Sequence, residues 1–181
     1  MNITAKVALR MIPDSLATQP IFLCVDDTMV AKAGTRFENV SKLFDHAAHN
    51  GSNYLNGHCF VSIMLCIPVW KNDRVSYLSL PLGYRMWQKK ESKLELAASM
   101  IRQVMPEFQE KKQVIILCDS WYTKRNLVSI VDEYLNLDLI GNARIDSVMY
   151  APAHTGRRGR PAKHGKRLSV ETDFSFQSIF Y

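Results

Sequence analysis

Residues 21–32 read IFLCVDDTMVAK, and the fold follows from how this stretch is understood. Five apolar residues, Ile21 to Val25, run without a break into Asp26 and Asp27. A run this short and this apolar has the pattern of a strand buried on both faces rather than of an amphipathic helix. Residues 114–124, VIILCDSWYTK, do the same, with Val114 to Cys118 leading into Asp119. A single aspartate at a strand end ordinarily caps the turn that follows. Two such ends in one chain raise the question of what the carboxylates share.

Further along the chain, 57–69 (GHCFVSIMLCIPV) predicts a second strand and 74–87 (RVSYLSLPLGYRMW) a third, with KNDR as the hairpin turn between them. Residues 91–108 place Leu94, Ala97, Ala98, Ile101, Val104 and Met105 at helical spacing, and Pro106 helps to end that helix. After the strand at 114–118, Leu127, Ile130, Val131 and Tyr134 predict a second helix over 123–137, and 137–145 predicts a fifth strand. The segment 34–56 is polar, rich in Asn, Gly and His, and reads as a loop with one short helical turn. The resulting order is β-β-β-α-β-α-β. Three antiparallel strands come first, and helical crossovers then make the later strands parallel, an α/β class with a mixed sheet. The expected organisation is a leader or remnant of a missing N-terminal domain at 1–20, a core at 21–150, and a basic tract with a C-terminal tail at 151–181.

The bulk composition fits one soluble domain: 181 residues, 47% apolar and 22% charged. The longest apolar run, around Phe60–Trp70, is too short to span a bilayer and is broken by Pro68, and no signal peptide is evident. A cytoplasmic protein without membrane partners is expected. Cys24, Cys59, Cys66 and Cys118 form no CxxC pair and read as reduced, buried thiols. The charge is uneven. Of 23 lysines and arginines, six (Arg157, Arg158, Arg160, Lys163, Lys166 and Arg167) lie in GRRGRPAKHGKR, 156–167; the other 17 balance 17 acids. The whole excess therefore sits in one Gly/Pro-punctuated stretch, which points to a local polyanion contact.

In this strand order the first strand and the strand after the first helix lie side by side, so Asp26 and Asp119 emerge near one edge. Two close carboxylates repel and raise one another's pKa, and a divalent cation removes that cost. All-oxygen ligation suits Mg²⁺ or Mn²⁺. Such ions activate a water or 3′-hydroxyl and stabilise the leaving oxygen of a phosphodiester. Asp26 and Asp27 point to opposite faces. Asp26 is preferred, because Asp-x-Thr leaves Thr28 on its side, with Asp27 as the alternative ligand.

These residues resemble a family. VDDTMVAKAG together with LCDSWYTKRNL, in a β-β-β-α-β-α-β chain, is similar to the DDE transposases of bacterial insertion sequences, whose catalytic domain is ribonuclease-H-like. Asp26, Asp27, Thr28, Lys32 and Gly34 meet the Asp-Asp-Thr…Lys-x-Gly pattern; Cys118, Asp119, Ser120, Trp121 and Tyr122 meet the second-aspartate pattern. The resemblance covers roughly residues 20–170. It implies a metal-dependent DNA cleavage and strand-transfer site with Asp26 and Asp119 as ligands, and Lys32 and Lys124 as candidates for backbone phosphate. It also implies transposon-end DNA as partner, a homodimer in a synaptic complex, and a bacterial, nucleoid-associated setting. The family's third acid, a Glu on a helix after the fifth strand, has no clear counterpart. Glu133 comes too early, and Glu171, in SVETDF, is a weak candidate. The expectation is a catalytic core lacking its last helix and inactive alone.

Other features carry less. RGRP at 158–161 resembles the core of an AT-hook, but contact with DNA phosphates is the favoured reading of the tract. His46 and His49, beside Asp45, lack further ligands for zinc. The tryptophans read as packing residues, with Trp121, next to Asp119, the one to test as a base-stacking platform. Two other functions compete: a non-catalytic DNA-binding protein acting through 156–167, and a phospho-receiver module. The second is disfavoured because a loop and a hairpin, not a helix, follow the first aspartates.

Overall fold

The opening run forms β1 (Ile21–Ala31), and pairing partners flank it on both edges. The computed structural model describes residues 1–34, 36–44, 53–108, 112–143, 147–153, 163–169 and 172–173. On one edge β3 (Tyr54–Lys71) runs antiparallel to β1, from Phe22↔Cys66 to Ala31↔Gly57. On the other, β5 (Val114–Cys118) runs parallel to it, from Ile21↔Val114 to Val25↔Cys118. β4 (Arg74–Met86) returns along β3, and β6 (Leu137–Gly141) lies parallel to β5. The principal order is thus β4-β3-β1-β5-β6, three antiparallel strands followed by two parallel ones. This is the α/β, ribonuclease-H-like arrangement expected from the sequence.

The local chemistry explains the joins. Asn72 and Asp73 make a two-residue hairpin with φ of 51° and 58°, a left-handed pair that Asn and Asp tolerate better than other side chains. Gly57 lets β1 and β3 close at their far end, since a Cβ there would meet the Val30 carbonyl oxygen at 2.3 Å. β1 therefore runs four residues past Asp27 instead of stopping at it.

The helix α2 (Lys93–Val104) crosses from β4 to β5. Its start is fixed by a capping box: Ser92 Oγ accepts from the Glu95 amide at 3.1 Å, and Glu95 Oε2 accepts from the Ser92 amide at 2.9 Å. Leu94, Ala97, Ala98, Ile101 and Val104 of α2 are buried in one core with Ile21, Leu23 and Val25, Val61 to Ile67 in alternation, and Val114 and Ile116. The segment 1–20, read as a leader, contributes α1 (Asn2–Leu9), whose Ala5 and Ala8 enter that same core.

Three sequence expectations change. β1 buries only alternate residues: Phe22 and Cys24 are half-buried and Asp26 is exposed, so the strand has one fully buried face. The second crossover is a single turn, α3 (Arg125–Val128), continued by a 3-10 segment at Ser129–Glu133, because only Leu127 and Ile130 there are buried. The loop 34–56 contains β2 (Ser41–Phe44), a four-residue strand on β3 too short to leave a periodic signal.

Residues Ala143–Tyr181 form a second unit. Within it, β7 (Met149–Tyr150) pairs antiparallel with β8 (Arg167–Leu168). The Tyr150 ring stacks on His164 at 4.8 Å, and Lys166 Nζ lies 2.9 Å from Asp173. Among the described residues no helix is long and apolar enough to cross a membrane. Asp45, His46, His49, Arg157, Arg158, Arg160 and Glu171 lie outside the described residues.

Candidate active site

The sheet register brings the two aspartate motifs to one place. β5 stops at Cys118, level with Val25, so Asp26 and Asp119 stand one step beyond the last parallel pair. The Ile21 amide donates to the Gln113 carbonyl at 3.1 Å, on the β5 side. Alternate amides of a strand point the same way, so the Asp27 amide faces the gap where β5 has ended. Asp26 fills it: its Oδ1 accepts that N–H at 2.8 Å. Asp26 is exposed, and Asp27 projects from the opposite face, towards α2.

Asp27 is the more enclosed carboxylate. Lys93, the first residue of α2, donates to Oδ2 at 2.6 Å, and the two side chains are only 17–18% exposed. The Cys59 thiol donates to Oδ2 at 3.2 Å, and the Tyr122 hydroxyl to Oδ1 at 3.2 Å. Burial, then the hydrogen bond to Asp27, pushes Cys59 up to about 11. Burial first, and then the Asp27 charge, pushes the Tyr122 phenol well above its ordinary range. For Lys93, burial alone would lower the pKa, but the hydrogen bond and charge of Asp27, with a smaller contribution from Cys59, raise it overall. The site therefore holds an ammonium, a neutral thiol and a neutral phenol around one carboxylate.

Asp119 is fixed by the turn it opens. Its Oδ1 accepts from the Trp121 amide at 3.0 Å and the Tyr122 amide at 3.2 Å. The turn carries the fully buried Tyr122 ring inward, so one residue binds Asp119 through its backbone and Asp27 through its side chain. Thr123 Oγ1 donates to the Asn142 carbonyl at 2.7 Å. Gly141 makes room for it, since a Cβ there would come within 2.3 Å of Thr123 Cγ2. The charge of Asp119, secondary to burial, helps to raise the neighbouring Cys118 thiol.

Cations gather over the indole beside this turn. Lys124 Nζ lies 4.4 Å and Lys93 Nζ 5.2 Å from the Trp121 ring centroid, and Lys93 is 5.9 Å from that of Trp87. Lys124, exposed, thus shares the Trp121 indole with Lys93, the cation on Asp27. Lys32 does not: it follows β1, five residues beyond Asp27, roughly 16 Å along an extended strand, with Nζ 5.8 Å from the Phe37 ring. Lys163, Lys166 and Arg167 belong to the second unit. Glu133 is held by Arg102 at 2.6 and 2.8 Å.

Lys93, Cys59 and the Tyr122 hydroxyl are not marked by the sequence as site residues. Only Tyr122 carries a signal, as part of LCDSWY. The Ser92–Glu95 box marks the helix start, but nothing in the sequence aims that end of the helix at Asp27.

A mixed sheet of this order, with an aspartate pair within its central strand β1 and another aspartate just past the end of the adjacent β5, is the frame of a ribonuclease-H-like domain. The family model of the DDE superfamily endonucleases matches residues 2–175, and the chain belongs to that family. A chain in the crystal structure of the Mos1 strand transfer complex is similar at 14% identity and a TM-score of 0.33. The match covers 80% of this chain and 41% of that one, so this chain spans less than half of its neighbour's length. No curated protein matches it.

DDE superfamily endonucleases generally use divalent metal ions. The chemistry of the donor set fits such an ion: the aspartates offer oxygen only, and a cation, the Lys93 ammonium, already docks on Asp27 Oδ2. Among the described residues, no group of three or more His, Cys, Asp or Glu is placed to hold a metal. The fit thus rests on carboxylates within β1 and just past the end of β5.

Proposed function

We propose that the chain carries the catalytic core of a DNA transposase, which cleaves DNA phosphodiesters and transfers strands with Mg²⁺ or Mn²⁺. Asp27 and Asp119 are the metal-binding carboxylates in this reading, with exposed Asp26 beside them. The observation that carries it is Tyr122, whose amide and hydroxyl tie Asp119 and Asp27 into one arrangement. Asp27 takes precedence over Asp26 because it is half-buried and already bears a cation, whereas Asp26 faces solvent and turns to its neighbour's amide.

Each residue then has a task. Tyr122 and Cys59 orient Asp27, and the amides of Trp121 and Tyr122 set the Asp119 rotamer. Lys124, exposed beside the turn, is available to a backbone phosphate, and the basic tract at 156–167 adds affinity for DNA. Asp27 and Asp119 would hold the ion, which when bound would supply activation of a water or 3′-hydroxyl and stabilisation of the leaving oxygen. Transposon-end DNA and a second copy of the chain in a synaptic complex are the partners of this reading.

The test is Mg²⁺-dependent nicking of supercoiled DNA. Asp27→Asn and Asp119→Asn should each reduce nicking to background, while Asp26→Asn keeps a measurable rate. Nicking that survives Asp27→Asn but not Asp26→Asn would give the leading role to Asp26. A second reading is favoured by the concentration of the entire charge excess in 156–167: DNA binding without chemistry. It predicts metal-independent, salt-sensitive binding that none of the three aspartate variants alters, and no nicking by the wild type.

A further inference from the structure

We propose that Lys93 is an exchangeable counter-ion, whose ammonium keeps the Asp27 carboxylate paired until a divalent cation takes its place. The inference rests on the reading of Asp27 as a metal ligand.

Three donors occupy Asp27, and only one of them is charged: Lys93 at Oδ2, with Cys59 at Oδ2 and Tyr122 at Oδ1. A half-buried carboxylate without a cation carries a desolvation penalty, so Lys93 lets the site fold before any ion is bound. An Mg²⁺ ion binds carboxylate oxygen at about 2.0–2.1 Å. An ammonium 2.6 Å from the same oxygen would sit against that ion as a like charge. Oδ2 already accepts from both Lys93 and Cys59, so an ion there must displace one donor, and the ammonium is the one it repels.

The structure provides somewhere for the lysine to go. Its Nζ already lies 5.2 Å from the Trp121 ring and 5.9 Å from the Trp87 ring, within the range where an aromatic face attracts a cation. The backbone of Lys93 is anchored by the capping box of α2, so the exchange needs only its flexible four-carbon stem to move. Cys59 and Tyr122 sit on core elements and keep Asp27 oriented throughout.

The experiment is Mn²⁺ binding to the full 181-residue chain by calorimetry, with indole emission followed in a parallel Mg²⁺ titration. Wild type should bind the ion with a change in emission as the ammonium shifts between carboxylate and rings. Lys93→Met should bind about tenfold tighter, inside the usual coupling range of about 5–150-fold, and lose the emission change. Lys93→Gln keeps an uncharged donor to Oδ2 and should also bind more tightly, which covers a Lys93→Met chain that fails to fold. Asp27→Asn should lose binding. If Asp27→Asn loses the ion while neither Lys93 variant binds it more tightly than wild type, the exchange is overturned and Asp27 stands as a ligand. If Asp27→Asn binds like wild type, the Asp27 reading falls and the exchange with it.

Discussion

Tyr122 is the residue on which the site turns. Its phenol is fully buried, and its hydroxyl donates to a carboxylate that is itself only 17% exposed. Hydrogen bonds to charged groups contribute about 1.5–3 kcal/mol. Tyr122→Phe keeps the ring packing and the backbone bond to Asp119 but leaves Asp27 Oδ1 without this donor. The urea midpoint should fall by an amount equivalent to that range. The edge-on packing of the Trp121 ring against residue 122, 5.1 Å between centroids, is kept by phenylalanine. The motif LCDSWY is legible as a unit, but the task of its tyrosine is not. A sequence gives the order of side chains along a turn, and burial decides which one faces inward.

Among the elements, α2 does most to shape the site. Its capping box fixes where the helix begins, and its first residue is the cation on Asp27. Ser92→Ala removes one half of that box and should cost about 1 kcal/mol, read as a lower melting temperature. Because the lost cap frays the turn bearing Lys93, the same variant should also enlarge the stabilisation that Mg²⁺ gives. Helix 91–108 and the hairpin at 72–73 can be read in advance because both are local: the apolar spacing and the Asn-Asp pair lie within a few residues. α3 and β2 cannot. Their lengths, four residues each, are set by which neighbours they meet.

For the molecule as a whole, charge and topology separate. The sheet and its carboxylates belong to the unit Met1–Asn142, while the basic tract 156–167 falls in Ala143–Tyr181. DNA affinity should therefore depend on salt through the second unit. Removing one cation that neutralises a phosphate lowers the log–log salt slope by about 0.9. Lys163→Ala should show close to one such step in a binding titration. Lys166→Ala should show a smaller one, because that ammonium is already paired with Asp173 at 2.9 Å.

The chain order of the main strands and helices, the two apolar runs that lead into aspartates and the confinement of excess charge all follow from the amino-acid sequence alone, because each is written in contiguous runs of residues. So does the opposition of Asp26 and Asp27, since side chains alternate along a strand. Which of the two enters the enclosed side, and what meets it there, depends on the three-dimensional packing. Lys93, Cys59 and Tyr122 come from a helix, a strand and a turn far apart in the chain. They converge on Asp27 because the parallel pairing of β1 with β5 and the packing of α2 across them leave a half-buried carboxylate that the folded chain must neutralise.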